Sequence, residues 1–225
     1  MNKKDRLDII YEDKELIVVN KPCGLLTIST DKEKDNTLFH KVYMYLKRKN
    51  KNNKVFIVHR LDKDTSGVVL FAKNEKLKFL LQNNWDKLVK NRNYIAIVHG
   101  NIEKDSDTII SWLKETKTLL TYSSFKENDG KKAITNYRVI YQNTKYSFLD
   151  ISLKTGRKNQ IRVHMKDINH PIIGDKKYGV KDRFNHMYLH AYKLSLVHPI
   201  TKKLLEFETD IPKYFSEFIK NEFSE

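Results

Sequence analysis

Short apolar runs and amphipathic stretches alternate along the chain, with polar segments between them. Runs rich in β-branched residues predict strands at 9–11, 16–20, 55–58, 68–72, 92–100, 109–113, 134–140 and 146–154. Apolar residues at helical spacing predict one helix, whose buried face is Leu38, Val42, Tyr45 and Leu46. They predict a second helix after the cap residue Asn74, with an apolar stripe that extends to Leu88, and a last helix from Pro212.

One polar loop lies between two of the most apolar predicted strands. It has the sequence His-Arg-Leu-Asp-Lys-Asp-Thr-Ser-Gly at residues 59–67. A dense set of polar side chains between two core strands is a place where a rigid scaffold can hold chemistry. The same pattern is also compatible with a loop whose side chains only cap its turns.

The charge balance points to a polyanionic partner. The chain has 225 residues and a formal net charge of +15 at pH 7, which for a soluble protein favours nucleic acid. A proteome rich in Lys and Asn would produce the same excess without any such partner. The single cysteine, Cys23, cannot form an internal disulfide, and no signal peptide or membrane-length apolar run is visible. These features predict a cytoplasmic protein.

Several motifs resemble those of one enzyme family. Residues 59–67, followed by Leu-Phe-Ala-Lys at 70–73, resemble the signature of the RluA family of RNA pseudouridine synthases. The Lys-Pro-Cys-Gly-Leu turn at 21–25, the strand at 92–100, and the segments 155–164 and 170–179 match further family motifs in the family's order. The resemblance implies an α+β fold, the pseudouridine synthase catalytic fold, with a long, bent, mostly antiparallel sheet, flanking helices and a central cleft. Residues 1–225 would form a single catalytic domain without the N-terminal S4-type domain.

The resemblance also implies an activity. The family isomerises uridine to pseudouridine within RNA and needs no cofactor or metal. The implied partner is an rRNA or tRNA stem-loop, and nothing in the sequence requires more than a monomer. Two alternatives remain: a non-catalytic RNA-binding protein, and an aspartate-dependent hydrolase with Asp64 as its second carboxylate.

Individual residues take roles from the same resemblance. Asp62 matches the catalytic aspartate, which could act as nucleophile, as base or as stabiliser of an oxocarbenium-like sugar. Tyr94 matches the active-site tyrosine, and Arg162 matches the arginine that pairs with the aspartate. Four more residues are expected to bind RNA or assist base flipping, and among them Arg60 matches the residue that fills the gap left by the flipped base. These four are Arg60, His59, Thr65 and Arg157.

Three segments leave questions open. Asn159 stands where the family usually has His, so a proton-transfer role at that position is doubtful while a structural hydrogen bond is possible. The charge run at 47–54 predicts a solvated loop that could also touch phosphates. The polar segment 114–132, with a turn signal at Asn-Asp-Gly 128–130, could be a loop that closes over RNA or a solvated hairpin.

Overall fold

The computed structural model describes residues 7–31 and 33–223, which form two compact units. The first unit is the described chain up to Asn91 together with Ala191–Asp210. The second is Arg92–His190 together with the described chain from Ile211 onward. Each unit is therefore assembled from two separate stretches of sequence.

The elements of the first unit are six strands and three helices. They are β1 (Asp8–Glu12), β2 (Leu16–Lys21), α1 (Leu38–Lys49), β3 (Phe56–Ile57), β4 (Ser66–Ala72), α2 (Glu75–Asn83), α3 (Trp85–Leu88), most of β10 (Leu189–Val197) and β11 (Leu204–Glu208). The second unit contains most of β5 (Val89–His99), β6 (Ser106–Glu115), β7 (Thr121–Ser124), β8 (Lys131–Gln142), β9 (Tyr146–Leu153), α4 (Gln160–Asp167) and α5 (Lys213–Phe223).

Strands β2 and β4 form the centre of the first unit. The strand order is β1-β2-β4-β10, with β3 also paired to β4 and β11 to β10. Strand β2 is antiparallel to β4, with Val18 opposite Leu70. Every residue of β4 is buried, which explains why this run reads as continuously apolar rather than alternating. Leu77 and Leu81 of α2 pack onto the same core.

Polar caps set the ends of the helices. The Thr37 side chain accepts a hydrogen bond from the backbone N–H of His40 at the start of α1, and the Asn74 side chain accepts one from Leu77 at the start of α2. The stripe predicted to run on to Leu88 is broken, because Asn84 leaves helical geometry and its Nδ2 donates to the carbonyl of Leu80. The residues beyond it form the short helix α3.

The charge run after α1 differs in part from the prediction. Helix α1 continues to Lys49, so the first three residues of the run are helical and the solvated loop is confined to residues 50–54. Basic residues in a last helical turn interact favourably with the carbonyl end of the helix dipole. The local reason for the longer helix is therefore visible in the sequence.

The second unit is an antiparallel sheet of long strands. Its strand order is β5-β9-β8-β6-β7. The segment 114–132 contains β7, which pairs with β6, and the predicted turn follows with Asn128 and Gly130 at positive φ. Strands and helices in both units confirm the predicted α+β class, and each strand pair whose register is described is antiparallel. Within residues 7–31 and 33–223, no helix combines the length and apolarity needed to cross a bilayer.

Candidate active site

The loop that carries Asp62 is hydrogen-bonded to the turn that follows β2. Thr27 is 3% exposed, and its hydroxyl donates to the carbonyl of Leu61 at 2.7 Å and accepts from the backbone N–H of Leu61 at 3.3 Å. On the other side of Asp62, the carbonyl of Lys63 accepts from the backbone N–H of Gly24 at 3.0 Å. The residues on both sides of Asp62 are thus fixed to one neighbouring segment.

Lys21 places a buried cation against the same loop. Its side chain is fully buried, and Nζ donates to the carbonyls of Lys63, Leu25 and Pro22 at 2.8, 2.7 and 3.0 Å. Burial lowers the pKa of Lys21 to about 8, against the opposing effects of Cys23, Asp64 and Asp62. Three carbonyl acceptors match the three donors of an ammonium group, so this cation is satisfied without a direct ion pair.

Asp62 itself is half-buried at the start of a tight turn. The backbone N–H of Thr65 donates to the carbonyl of Asp62 at 3.3 Å, and the thiol of Cys23 donates to the carbonyl of Asp64 at 3.0 Å. Thr65 is buried at 3% exposure. Its observed part is therefore to close the turn, and the predicted contact of this residue with RNA stays a prediction.

His59 and Arg60, at the start of the motif, have different environments. His59 is half-buried, with Nε2 accepting from the backbone N–H of Leu70 at 3.0 Å and its ring 4.9 Å from that of Trp85. An accepting Nε2 requires the neutral tautomer with the proton on Nδ1, so His59 ties the loop to β4. Arg60 is exposed to solvent.

Gly67 ends the motif at a point where only glycine fits. Its φ is +119°, and a Cβ there would lie 2.1 Å from the carbonyl oxygen of Ala191. Strand β4 can approach β10 this closely only because the side chain is absent. The glycine of the motif therefore serves the backbone on which the loop is built.

Arg162 in the second unit is held by a partner that the sequence analysis missed. Its Nε and one terminal nitrogen donate to the two carboxylate oxygens of Asp175, each at 2.7 Å. The side chain of Asp175 has no exposed surface. Burial by itself would raise the pKa of Asp175, but the hydrogen bonds and charge of Arg162 and the backbone N–H groups of Lys177 and Tyr178 outweigh it and lower the pKa. This is a planar bidentate pair of the kind that fixes a guanidinium in one orientation.

Asn159 completes the support of that guanidinium. The residue has φ +56°, a left-handed conformation that Asn tolerates. Its Oδ1 accepts from Arg162 at 3.0 Å, its Nδ2 donates to the hydroxyl of Tyr178 at 3.0 Å, and the guanidinium lies 5.0 Å from the centre of the Tyr178 ring. The residue that departs from the family pattern thus makes the structural hydrogen bonds that an amide allows.

Helix α4 is anchored to the sheet by buried polar side chains. His164 is fully buried between the hydroxyls of Ser111 on β6 and Thr135 on β8, at 2.9 and 2.8 Å. Gln160 donates to the same Thr135 hydroxyl at 2.9 Å. Burial lowers the pKa of His164 to about 4, so the ring is neutral at physiological pH. Arg162 and His164 are therefore both buried.

The remaining predicted residues of the second unit lie on β5 and before α4. Tyr94 is half-buried on β5, opposite Ile151 of β9. Arg157 is exposed, and its Nε donates to the carbonyl of Lys132 at 3.0 Å. Asp62 belongs to the first unit, whereas Tyr94, Arg157 and Arg162 belong to the second.

Sequence reasoning did not assign roles to Lys21, Thr27 or Asp175. Lys21 and Asp175 each fall in a turn that matches a family motif, at 21–25 and 170–179. Those matches are the sequence signal that could have indicated a role for the two residues. Among the residues that the structure describes, no group of three or more His, Cys, Asp or Glu side chains could hold a metal ion.

Comparison with known proteins gives a consistent result. Residues 15–167 match the family model described as RNA pseudouridylate synthase. The chain is 40% identical over 223 residues to ribosomal large subunit pseudouridine synthase D of Borreliella burgdorferi, which covers 95% of this chain and 68% of that protein. It is 37% identical over 214 residues to tRNA pseudouridine synthase C of Haemophilus ducreyi, which covers 87% of each.

A solved structure supports the fold. Human RNA pseudouridylate synthase domain containing 4 superposes with a TM-score of 0.78 at 21% identity, covering 94% of this chain and 91% of that one. The predicted pseudouridine synthase fold is confirmed. Together with the family model and the two bacterial relatives, these findings show that the chain belongs to the RluA-type RNA pseudouridylate synthase family and is an RNA pseudouridine synthase.

Proposed function

We propose that Asp62 is the catalytic carboxylate of this synthase and that Tyr94 and Arg162 serve the same reaction. The observation that carries the proposal is the set of hydrogen bonds around Asp62. Backbone groups of Leu61, Lys63 and Asp64 are all bound by the segment of residues 21–27. A carboxylate that must meet a sugar carbon needs such a fixed backbone, because misplacement by about 1 Å can cost about 100-fold in rate.

The reaction is an isomerisation in which all atoms of the uridine are kept. The bond between N1 and the ribose C1′ breaks, the uracil turns, and C5 bonds to C1′. The proton on C5 leaves and N1 gains a proton, so no oxidant, reductant or second substrate is required. The carboxylate of Asp62 acts at the sugar, as nucleophile, base or electrostatic stabiliser of the cationic sugar carbon.

Arg162 supplies the cation that keeps the reacting carboxylate ionised in a site from which the base excludes water. Support for this role is the rigid mounting of its guanidinium by Asp175 and Asn159. Tyr94 stacks on the uracil and carries the proton that leaves C5. A phenol has an ordinary pKa of about 10, so this transfer depends on help from its surroundings.

Arg60 enters the RNA stack at the position that the flipped uridine has left. Flipping costs a few kcal/mol in unstacking and unpairing, and a planar, charged guanidinium can stack in the gap. The exposure of Arg60, two residues before Asp62, supports this assignment. His59, Thr65 and Arg157 belong to the same RNA-binding and base-flipping set, with His59 and Thr65 acting through the shape of the loop.

The substrate is a stem-loop of rRNA or tRNA, and the enzyme acts as a monomer in the cytoplasm without cofactor or metal. The names of the two bacterial relatives support the choice of RNA: one is a ribosomal large subunit pseudouridine synthase and the other a tRNA pseudouridine synthase. Mapping pseudouridines in rRNA and tRNA from a strain that lacks the gene, and from the same strain carrying the Asp62→Asn variant, tests the proposal. The same uridine should remain unmodified in both strains. Restoration of the modification by Asp62→Asn would overturn the catalytic assignment.

A further inference from the structure

The C-terminal end of α1 carries more positive charge than its ion pairs neutralise, and the proposed catalytic site does not use it. Between residues 38 and 54 the chain has six Lys or Arg residues and no Asp or Glu. We define the basic end of α1 as Lys47, Arg48, Lys49, Lys51 and Lys54. All but Lys47 are exposed, and Lys47 is half-buried.

Little of this charge is neutralised by neighbouring groups. Lys49 pairs with Glu12 at 2.8 Å, and Glu12 also binds Lys73 and the hydroxyl of Tyr45. Lys47 donates to the carbonyl of Lys51 at 2.6 Å, which satisfies a donor but leaves the charge uncompensated. The basic end of α1 therefore presents a net positive surface.

An open groove adjoins this surface. It has a volume of about 1060 Å³ and lies between β1 and α1, lined by Ile9 on one side and by His40, Met44 and Arg48 on the other. Asp8, Asp35 and Lys41 also line it. Arg48 lines the groove and belongs to the basic end of α1, so the two surfaces are continuous there.

The other end of α1 is attached to the segment that positions Asp62. The backbone N–H of Leu38 donates to Leu26 at 2.8 Å, and that of Phe39 donates to Thr27 at 3.0 Å. Thr27 in turn binds Leu61. Twelve helical residues span about 18 Å, so a rigid helix connects the loop of Asp62 to the basic end.

We propose that the basic end of α1 binds backbone phosphates of the substrate RNA outside the target nucleotide. This inference rests on the proposed function, because the RNA that it binds is the one whose uridine reaches Asp62. Phosphate contacts fix the position of a nucleic acid without reading its sequence. Binding at the far end of this helix, which spans about 18 Å from its attachment at Leu26 and Thr27, would hold the stem that flanks the target uridine.

The test compares two variants of equal charge. The first replaces Lys47, Arg48 and Lys51 with Gln, and the control replaces the exposed residues Lys76, Lys203 and Lys220 with Gln. With a stem-loop substrate long enough to flank the target on both sides, the first variant should raise KM about 10-fold and leave kcat at saturation unchanged. The slope of log affinity against log salt concentration should become shallower by about 2 to 3. For each phosphate contact that is lost, RNA binding releases roughly one counterion fewer. The control should change KM by less than about twofold.

Other outcomes would contradict the inference. An unchanged KM with a lower Tm would mean that these residues serve only the helix dipole. Equal losses in both variants would mean that overall charge matters and this surface does not. An unchanged KM with a changed mass in light scattering would assign the surface to a second copy of the chain. All of these can occur while Asp62 remains essential, so failure here is distinct from failure of the proposed function.

Discussion

The hydroxyl of Thr27 binds both backbone groups of Leu61, 34 residues further along the chain. Leu61 directly precedes Asp62, and two hydrogen bonds from one side chain fix the orientation of its peptide groups. Thr27 itself is buried beside the start of α1. The position of the proposed catalytic carboxylate therefore depends on a residue outside the motif that contains it.

Replacing Thr27 with Val should lower kcat while changing KM little. Valine has nearly the same shape but cannot form either hydrogen bond, and it leaves two buried backbone groups of Leu61 without this partner. We expect kcat to fall about 10- to 100-fold and the free energy of unfolding to fall by about 1 to 3 kcal/mol. Single-turnover kinetics and urea denaturation measure the two effects.

Thr27→Ser is the matched control, because it keeps the hydroxyl and removes only a methyl group. It should restore most of the lost rate. Thr27→Val with a wild-type kcat would show that the hydrogen bonds to Leu61 do not position the loop for the reaction.

His164 should make the protein less stable in mild acid. Its pKa is about 4 in the folded state and 6.5 in the unfolded chain. Between these values the unfolded state binds a proton that the folded state does not, so stability falls as pH decreases from 6.5 to 4 and levels off below. The full difference is on the order of 3 kcal/mol, since one pKa unit corresponds to about 1.4 kcal/mol.

The measurement is the free energy of unfolding of wild type and His164→Gln at a series of pH values. Glutamine can bond to one of the two hydroxyls but does not titrate. The difference between the two proteins should therefore vary with pH between 4 and 6.5 and be constant from 7 to 8. A difference that is flat across the acid range would contradict the neutral, buried state of His164.

Replacing Arg60 with Ala should impair modification of structured RNA selectively. If Arg60 fills the gap in the stack, its loss should slow the reaction on a folded stem-loop about 10-fold or more. A substrate whose target base is already unstacked should be much less affected, because flipping then costs little.

The alternative for Arg60 is a structural ion pair with Asp64 or another loop carboxylate. Equal slowing on both substrates, together with a lower Tm, would favour that alternative. A Tm within about one degree of the wild-type value is expected here, because the side chain is exposed and surface ion pairs contribute little.

The sequence predicted the parts of the structure that depend on local pattern. The buried strands β2 and β4 follow from continuous β-branched runs, and the cap at Asn74 follows from a side chain that accepts from a nearby backbone group. The end of α2 was wrong because the amide of Asn84 closes the helix one turn before its apolar stripe ends.

The support of the site was beyond the reach of local pattern. Thr27 and Leu61 are 34 residues apart in the sequence, and Lys21 and Lys63 are 42 residues apart. Arg162 and Asp175 meet only because the chain turns back after α4. Nothing in a single sequence says which threonine meets which loop. The motifs predicted Asp62 and Arg162, whereas their hydrogen-bond partners became visible only in the fold.

The most direct test of the catalytic assignment is the release of tritium from RNA labelled at uracil C5 by wild type, Asp62→Asn and Asp64→Asn. Both variants remove one negative charge from the same loop and keep the shape of the side chain. We predict that Asp62→Asn releases no tritium above background while binding RNA within about threefold of wild type, and that Asp64→Asn retains most of the activity. Turnover by Asp62→Asn near the wild-type rate, or loss of activity confined to Asp64→Asn, would contradict the account.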